Sequence, residues 1–314
     1  MIETQQRIGA VVLAYNSSED LLNCLIGLRA QQGVNLQIIV VDNASKPNER
    51  SRLKAIFLEV LPMGIILPAN GTMDVDASAV FLCNDINSGY SAGNNIGARF
   101  AAASGCEAVL IINPDVRIED PDYLVELVGL ITVNTKTAVA CSALTNLLGI
   151  HENPMIELRF WEEFFWPLQM IIKRFFYRQI IRKPLFSKPQ RVEKVSGACF
   201  LIRTDFLLQI DYFDETVFLD CEEAILSAQV QRAGWNMMMD PRRHALHAHS
   251  SMAKGNQYDL YVIWAKSRGK FHATYSQYGV LRQALLAESR RIILVLIWLK
   301  MILKKLFQAV VKFL

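Results

Sequence analysis

Four short apolar runs, each ending in a polar cluster and each followed by a helical stretch, constrain this chain more than any other feature. They are residues 8–14 (I-G-A-V-V-L-A), 36–41 (L-Q-I-I-V-V), 79–84 (A-V-F-L-C-N) and 107–112. Continuous apolar runs without polar alternation suit strands covered on both faces. After the first run, Asn16, Ser17 and Ser18 offer caps to a helix carrying Leu21, Leu22, Leu25 and Leu28. A polar helix is predicted over 47–60 and a small-residue helix over about 92–104, and Asp120-Pro121-Asp122 opens another. Strand alternating with helix at this spacing predicts an α/β fold, a mostly parallel sheet with right-handed crossovers.

The pattern breaks around residue 145, and residues 155–186 are dense in Phe, Trp, Ile, Arg and Lys. Regularity returns with a predicted strand over 192–203 and a helix over 222–233 closed by Gly234. A short strand over 236–240 and the segment P-R-R-H-A-L-H-A-H-S-S follow. The 314 residues fit one large α/β domain or a domain with an appendage. A net charge of +3, scattered along the chain, argues against a nucleic-acid partner. Six cysteines without a C-x-x-C pair read as small core residues in a reducing compartment. The polar start, M-I-E-T-Q-Q-R-I-G, reads as no secretory leader. Mean hydropathy is nonetheless positive, and its sources are local: residues 156–186 and the C-terminal tail.

Four clusters fall at loops after strands, where open α/β sheets collect ligands. Ala14-Tyr15-Asn16 and Asp42 end two adjacent strands that can clasp a base and ribose; Asp42-Asn43 is also an ordinary turn pair. Asn87-Ser88-Gly89-Tyr90-Ser91-Ala92-Gly93-Asn94-Asn95 joins glycines that admit close backbone approach to a helix N-terminus that favours an anion. It matches neither G-x-G-x-x-G nor a P-loop, and it doubles as a plain helix cap. Asn113-Pro114-Asp115 stops the 107–112 run and places a carboxylate where a diphosphate-bound Mg²⁺ can sit. Finally, Asp220-Cys221-Glu222-Glu223 offers a general base or merely dipole-stabilising acids, and His247 a metal ligand, with His249 nearby.

In this order the segments V-V-L-A-Y-N, I-I-V-V-D-N-A-S, N-S-G-Y-S-A-G-N-N, I-I-N-P-D-V, V-S-G-A-C-F-L-I-R, F-L-D-C-E-E and H-A-H-S-S make the chain resemble a family 2 glycosyltransferase over about residues 7–252. The nearest likeness is to bacterial rhamnosyltransferase-type enzymes of O-antigen and exopolysaccharide assembly. The resemblance implies a GT-A fold, a dTDP- or UDP-linked sugar donor, Mg²⁺ or Mn²⁺, and inversion by single displacement. It further implies that Ala14, Tyr15 and Asp42 hold the nucleoside and that Asn87, Gly89 and Asn95 belong to the donor-site loop. Asp115 matches the last acid of the family's Asp-x-Asp-type metal motif, with Asn113 in place of the first. Glu223 takes the catalytic-base position beside Glu222, and His247 matches a His placed near the diphosphate. The departures are Glu for Asp at the base, A-I-L-S-A-Q-V-Q-R where an acidic, arginine-bearing helix is expected, and an insertion near 64–78.

These readings divide the chain into a glycosyltransferase domain over 1–255 and a C-terminal helical, membrane-associating region over 256–314. The domain comprises a nucleotide-binding half (1–145) and an acceptor-side half (146–255) with an aromatic, basic insertion at 155–186. In 292–314 the polar residues Lys300, Lys304, Lys305, Gln308 and Lys312 fall within an arc of about 140°. Four lysines are unsuited to a membrane span, each costing roughly 2.5–3.5 kcal/mol near its centre, and suit a helix lying on anionic headgroups. Packing on the catalytic domain or in a homodimer is the alternative for this tail. The expected partners are a nucleotide sugar, a glycan or lipid-linked acceptor, and the cytoplasmic face of an inner membrane. A nucleotidyltransferase would carry a glycine-rich loop with Arg and Lys after the first strand, where this chain has A-Y-N-S-S. A non-catalytic sugar-nucleotide-binding scaffold would not need both Asp115 and Glu223.

Overall fold

A computed structural model of the chain describes residues 6–71, 77–168, 170, 186–248 and 256–313. His249 and, in the aromatic segment, residues 169 and 171–185 lie outside the described residues. Two compact units emerge, one of Met1–Ile156, Ile181–Phe218 and Glu222–His249, the other of Glu157–Ile180, Leu219–Cys221 and Ser250–Leu314. Glu157–Ile180 thus falls in the same unit as Ser250–Leu314.

The first unit is built on a mixed sheet. Its strands are β1 (Arg7–Ala14), β2 (Asn35–Asn43), β3 (Ile65–Pro68), β4 (Ala79–Asn84), β5 (Ala108–Ile112), β6 (Val116–Arg117), β7 (Thr137–Asn146), β8 (Gln190–Val192), β9 (Cys199–Arg203) and β10 (Asn236–His247). They run in the order β3-β4-β2-β1-β5-β9-β7-β10-β6, with β8 on β10. Strands β1 to β5 pair in parallel, Ala14 opposite Asp42 and Val12 opposite Ile112, so their carboxyl ends line one edge. Side chains alternate between faces: Ile8, Ala10, Val12, Ile38 and Val40 fill one core, and Val11, Ile39, Val41, Val109 and Ile111 fill the other. Both faces being covered explains why these strands read as unbroken apolar runs.

The first core is closed by α1 (Ser18–Arg29), α2 (Pro47–Val60) and α4 (Tyr123–Val133) through Leu21, Leu25, Leu53, Phe57 and Leu124. The second is closed by α3 (Tyr90–Ala103), α6 (Thr204–Gln209) and α7 (Glu222–Arg232) through Ala98, Ala101, Phe206, Leu226 and Val230. Helix α3 lies close to the sheet: a Cβ at Gly93 would come within 2.5 Å of Leu13, and one at Gly97 within 2.4 Å of Val11. All six cysteines are free, and burial pushes the thiols of Cys24, Cys106, Cys141 and Cys199 upward, so they stay un-ionised core residues as expected.

The structure departs from the sequence reading in several places, β3 within the insertion near 64–78 and the short β6 among them. The 192–203 run is two strands, β8 and β9, separated by a turn at Ser196–Ala198. The short strand predicted over 236–240 continues to His247, because the register shift between Asp240 and His244 absorbs Pro241 in a bulge. Strand β7 was not anticipated; its T-A-V-A-C-S-A-L-T-N is made largely of small residues. Ser17 is the N-cap of α1 but makes no side-chain capping bond.

The second unit contains α5 (Phe160–Phe164), α8 (Gln257–Thr274) and α9 (Val280–Phe313). Its centre is Glu163, whose carboxylate is 1% exposed and accepts from Arg268 Nη2 at 2.7 Å and His272 Nε2 at 2.8 Å, with Arg290 Nη1 3.5 Å away. Ser289 Oγ donates to the carbonyls of Glu163 (3.2 Å) and Phe164 (3.0 Å), so one buried charge ties all three helices. Burial alone would raise the Glu163 carboxyl, but the bonds from His272 and Arg268 outweigh it and hold it down at about 2. A carboxyl lower in the folded than in the unfolded state stabilises fully above its ordinary value near 4.5, and that gain disappears as pH falls toward 2. Thermal melts should show the wild type losing stability through this window. Glu163→Gln should be less stable at pH 7 by about 3 kcal/mol, with a flatter profile below pH 4.5; parallel profiles would contradict the ion-pair account.

Candidate active site

The site is assembled at the carboxyl ends of β1, β2, β4 and β5. Beyond β1, Ala14 is fully buried and Tyr15 half exposed, and Asn16 takes a left-handed conformation (φ 50°). Asn16 N–H donates to Ser45 Oγ (2.9 Å), and its side-chain oxygen accepts from Lys46 N–H (2.9 Å), lacing the β1 loop to the β2 loop. Asp42 is fully buried at the end of β2 and is no simple turn residue. One carboxylate oxygen accepts from Ser45 N–H at 3.2 Å and the other pairs with Arg50 Nε. Arg50 also reaches Asp85 (3.0 Å) and the carbonyl of Asn84 (2.6 Å), so α2 clamps two strand ends through one guanidinium.

The loop before α3 is held from the strand ends. Asn43 Nδ2 donates to Asn87 Oδ1 (3.0 Å) and to the Gly89 carbonyl (3.2 Å), while Asn87 Oδ1 also accepts from Gly89 N–H (3.0 Å). Gly89 stands at φ 107°, and a Cβ there would lie 2.2 Å from the Phe218 carbonyl, which accepts from Tyr90 N–H at 2.9 Å. Asn95 is turned inward. Its amide donates to the Phe213 carbonyl (2.9 Å) and Glu215 (2.7 Å) and accepts from Phe213 N–H (3.0 Å), so it braces α3 from behind.

Asn113 N–H donates to the Ala198 carbonyl at 2.8 Å, continuing the antiparallel β5–β9 pairing past the end of the strand. Next along the chain, Asp115 is tied to the end of β10, where its carbonyl accepts from Ala248 N–H (2.8 Å) and β6 pairs His247 with Val116. Asp115 Oδ1 thus lies 3.2 Å from His247 Nε2, and the other imidazole nitrogen, Nδ1, lies 2.6 Å from Glu152 Oε2. Burial lowers the affinity of His247 for a proton, but hydrogen bonds to the two carboxylates outweigh it and raise the imidazole to about 9. Glu152 was not found from the sequence. It reaches the site because residues 146–152 fold back on β7, with Glu152 N–H on the Leu144 carbonyl (2.8 Å) and Thr145 bridged to His151.

Glu222 and Glu223 open α7 directly after Asp220 and Cys221, two consecutive left-handed residues (φ 65° and 71°). Such conformations cost non-glycine residues on the order of 1–2 kcal/mol each and turn the chain sharply into the helix. A Cβ at Gly197 would sit 3.4 Å from Glu223 Oε1 and 3.2 Å from the Tyr90 hydroxyl, which itself donates to the Gly197 carbonyl at 2.5 Å. Burial, reinforced by Glu222 and Glu223, pushes the Tyr90 hydroxyl upward, so it remains a donor. The Ser196–Ala198 turn is therefore shared. Ala198 meets the Asn113 loop, which leads to Asp115, and Gly197 meets Glu223. Among the described residues no three acidic, His or Cys side chains close on one point. Two hollows of about 290 and 330 Å³ on this unit, near Trp235 and near Cys106, are lined by none of these residues.

A family profile described as "Glycosyltransferase like family 2" matches residues 6–262. The chain is 22% identical over 276 residues to the low-salt glycan biosynthesis hexosyltransferase Agl10 of Haloferax volcanii, covering 86% of this chain and 76% of that protein. Its fold is similar to that of the mannosyltransferase PcManGT from Pyrobaculum calidifontis in complex with GDP-Man and Mn²⁺. That match has a TM-score of 0.57 and 15% identity and covers 91% of this chain and 70% of that one. It is also similar to GalNAc-T7 with UDP, GalNAc and Mn²⁺ (TM-score 0.57, 13% identity), covering 92% of this chain and 54% of that one. At these identities the structural likeness is one of fold.

Because Gly89 combines a left-handed φ with the contact at Phe218, Gly89→Ala should lower stability by at least about 2 kcal/mol. Urea titration checks this, and a change under 0.5 kcal/mol would show that the Gly89–Phe218 approach is relaxed at no cost.

Proposed function

The chain belongs to glycosyltransferase-like family 2, and from that premise we propose that it moves a hexosyl or deoxyhexosyl group, rhamnose being the first candidate, from a dTDP- or UDP-linked donor to a hydroxyl of a glycan or lipid-linked acceptor. The transfer is inverting and serves cell-surface polysaccharide synthesis. The observation that carries this reading is the shared Ser196–Ala198 turn, with Glu223 against one of its residues and the loop leading to Asp115 bonded to the next.

In this reading Glu223 removes the proton of the acceptor hydroxyl, whose oxygen forms a bond to the anomeric carbon as the bond to the diphosphate breaks on the opposite face. Glu222 lies beside it at the head of α7. Ala14 and Tyr15 border the nucleoside, and Asp42 acts through Arg50. Asn87, Gly89 and Asn113 surround the diphosphate at the head of α3, where backbone N–H groups favour an anion. Asp115 and His247 would hold the divalent cation, Mg²⁺ or Mn²⁺. A carboxylate and a neutral imidazole suit such an ion, which would take the place of the proton that His247 holds toward Asp115. Glu152 orients His247 through Nδ1, as carboxylates commonly do behind metal-binding imidazoles. When bound, the ion supplies charge neutralisation at the departing diphosphate.

A peripheral membrane location is supported by α9. Ile292, Val295, Trp298, Leu299, Leu303 and Leu306 are exposed along it, with Lys300 and Lys304 exposed beside them. Among the described residues no helix is long and apolar enough to cross a membrane, and an apolar row flanked by lysines suits a helix lying on an anionic surface. A cytoplasmic leaflet presenting a lipid-linked acceptor fits both features.

Glu223→Gln should lower transfer by at least about 10³-fold while donor affinity, measured by calorimetry, changes little. Asp115→Ala should weaken donor binding in Mn²⁺ at least about tenfold. Near-normal turnover in the first variant, or unchanged titration in the second, would overturn the respective assignment. Cosedimentation with phosphatidylglycerol vesicles, but not phosphatidylcholine vesicles, should be lost in a Trp298→Ser/Leu303→Ser variant. Equal binding by that variant would contradict the surface role of α9.

A further inference from the structure

The second unit holds a hollow that the transfer chemistry does not use. It measures about 240 Å³ and is lined by Trp166, Asp220, Leu260, Tyr261 and Trp264. Trp166 and Trp264 meet edge to face, centroids 5.1 Å apart at 77°, and Tyr261 meets Trp264 at 6.3 Å and 76°. Rings set nearly at right angles form a corner, offering a flat π face on one wall and an edge on the next. Among the described residues that line it, Asp220 contributes a carboxylate and the others are aromatic or apolar. Trp166 lies in the aromatic segment and Tyr261 and Trp264 in α8, so residues about a hundred positions apart in the chain meet here.

We propose that this hollow seats one pyranosyl ring of the acceptor glycan. A pyranose has a patch of C–H groups on one face, which stacks on an aromatic ring, and hydroxyls at its rim, which donate to a carboxylate. One wall of tryptophan and tyrosine with one acid matches that division of polarity. The volume of about 240 Å³ is enough for a single sugar ring. Asp220 stands three positions before Glu223 in the chain. Its left-handed backbone also fixes where its side chain starts, since φ of 65° leaves little freedom in the turn into α7. A quaternary ammonium would suit an aromatic cage bearing an acid as well. The sugar is favoured because the proposed acceptor is itself a glycan. This inference rests on the proposed glycosyl transfer, and it concerns a different set of residues.

The test is titration of the full-length protein, followed by tryptophan fluorescence, with the methyl glycosides of rhamnose, mannose, glucose, galactose and N-acetylglucosamine, and separately with choline. At least one pyranoside should give a saturable change with Kd of about 1–10 mM, corresponding to the weak binding expected of a single ring. Trp264→Ala should weaken it at least about tenfold, and Trp264→Phe should retain most of it. Asp220→Asn, which tolerates the same left-handed backbone, should weaken it about tenfold through loss of a charge-assisted bond. It therefore serves if the tryptophan variants fail to fold. No saturable change with any pyranoside, saturation with choline alone, or undiminished binding by both Trp264→Ala and Asp220→Asn would overturn the proposal. Calorimetry with the nucleotide sugar reads the donor half independently. Loss of the pyranoside signal with intact donor binding refutes only the subsite. Intact pyranoside binding in a protein that does not bind the donor refutes the transfer reading instead.

Discussion

The antiparallel return of β9 alongside β5 is the constraint on which the site depends. Parallel strands alone place their ends at one edge of the sheet, but they leave the groups beyond each end unpaired. By running back along β5, with Cys199 opposite Ile112, β9 brings its preceding turn over the end of that strand, and Asn113 N–H finds its acceptor there. The same turn presents Gly197 to Tyr90 and Glu223. One backbone pairing thus sets the position of the Asn113–Asp115 loop and of the head of α7 together. This is the GT-A fold, with Asp115 and Glu223 linked through three residues of loop.

Around that turn, charges are fixed by partners drawn from distant parts of the chain. Asp42 is spoken for by Arg50, and its carboxylate does its work as the anchor of a guanidinium that also holds the β4 end. His247 carries its charge because Asp115 and Glu152 flank it, against the pull of burial in the other direction. The same logic recurs at Glu163 in the second unit, where two cations and an imidazole keep a buried carboxylate ionised. In each case the ion pair is worth little as a surface contact and much as a constraint on geometry, because removing one partner strands the other away from water.

Much of this was readable in the sequence, and for identifiable reasons. Strands β1, β2, β4 and β5 announce themselves because both their faces are buried, and α2 and α7 because their ends carry Pro47 and Gly234. Strand β7 is hidden by its small side chains, and β8 and β9 look like one strand because Gly197 breaks them without a proline. The positions of Asp115, Glu223 and His247 follow from motif order. What motif order cannot reveal is which groups answer them. Glu152 lies 95 positions from His247, and no periodicity marks it. Asn95 shares a motif with Gly89 yet faces the interior, because its place five residues past Tyr90 turns it about 140° beyond a full helical turn.

The central claim is that Asp115 with His247 and Glu223 address one donor from the two sides of the Ser196–Ala198 turn. The most direct measurement is anomalous diffraction at the manganese edge from crystals grown with Mn²⁺ and a nucleoside diphosphate. The account predicts a peak touching Asp115 and His247, with the diphosphate extending toward the head of α3 and Glu223 across the turn. A peak away from Asp115, or a diphosphate with Glu223 on the far side of the unit, would contradict it.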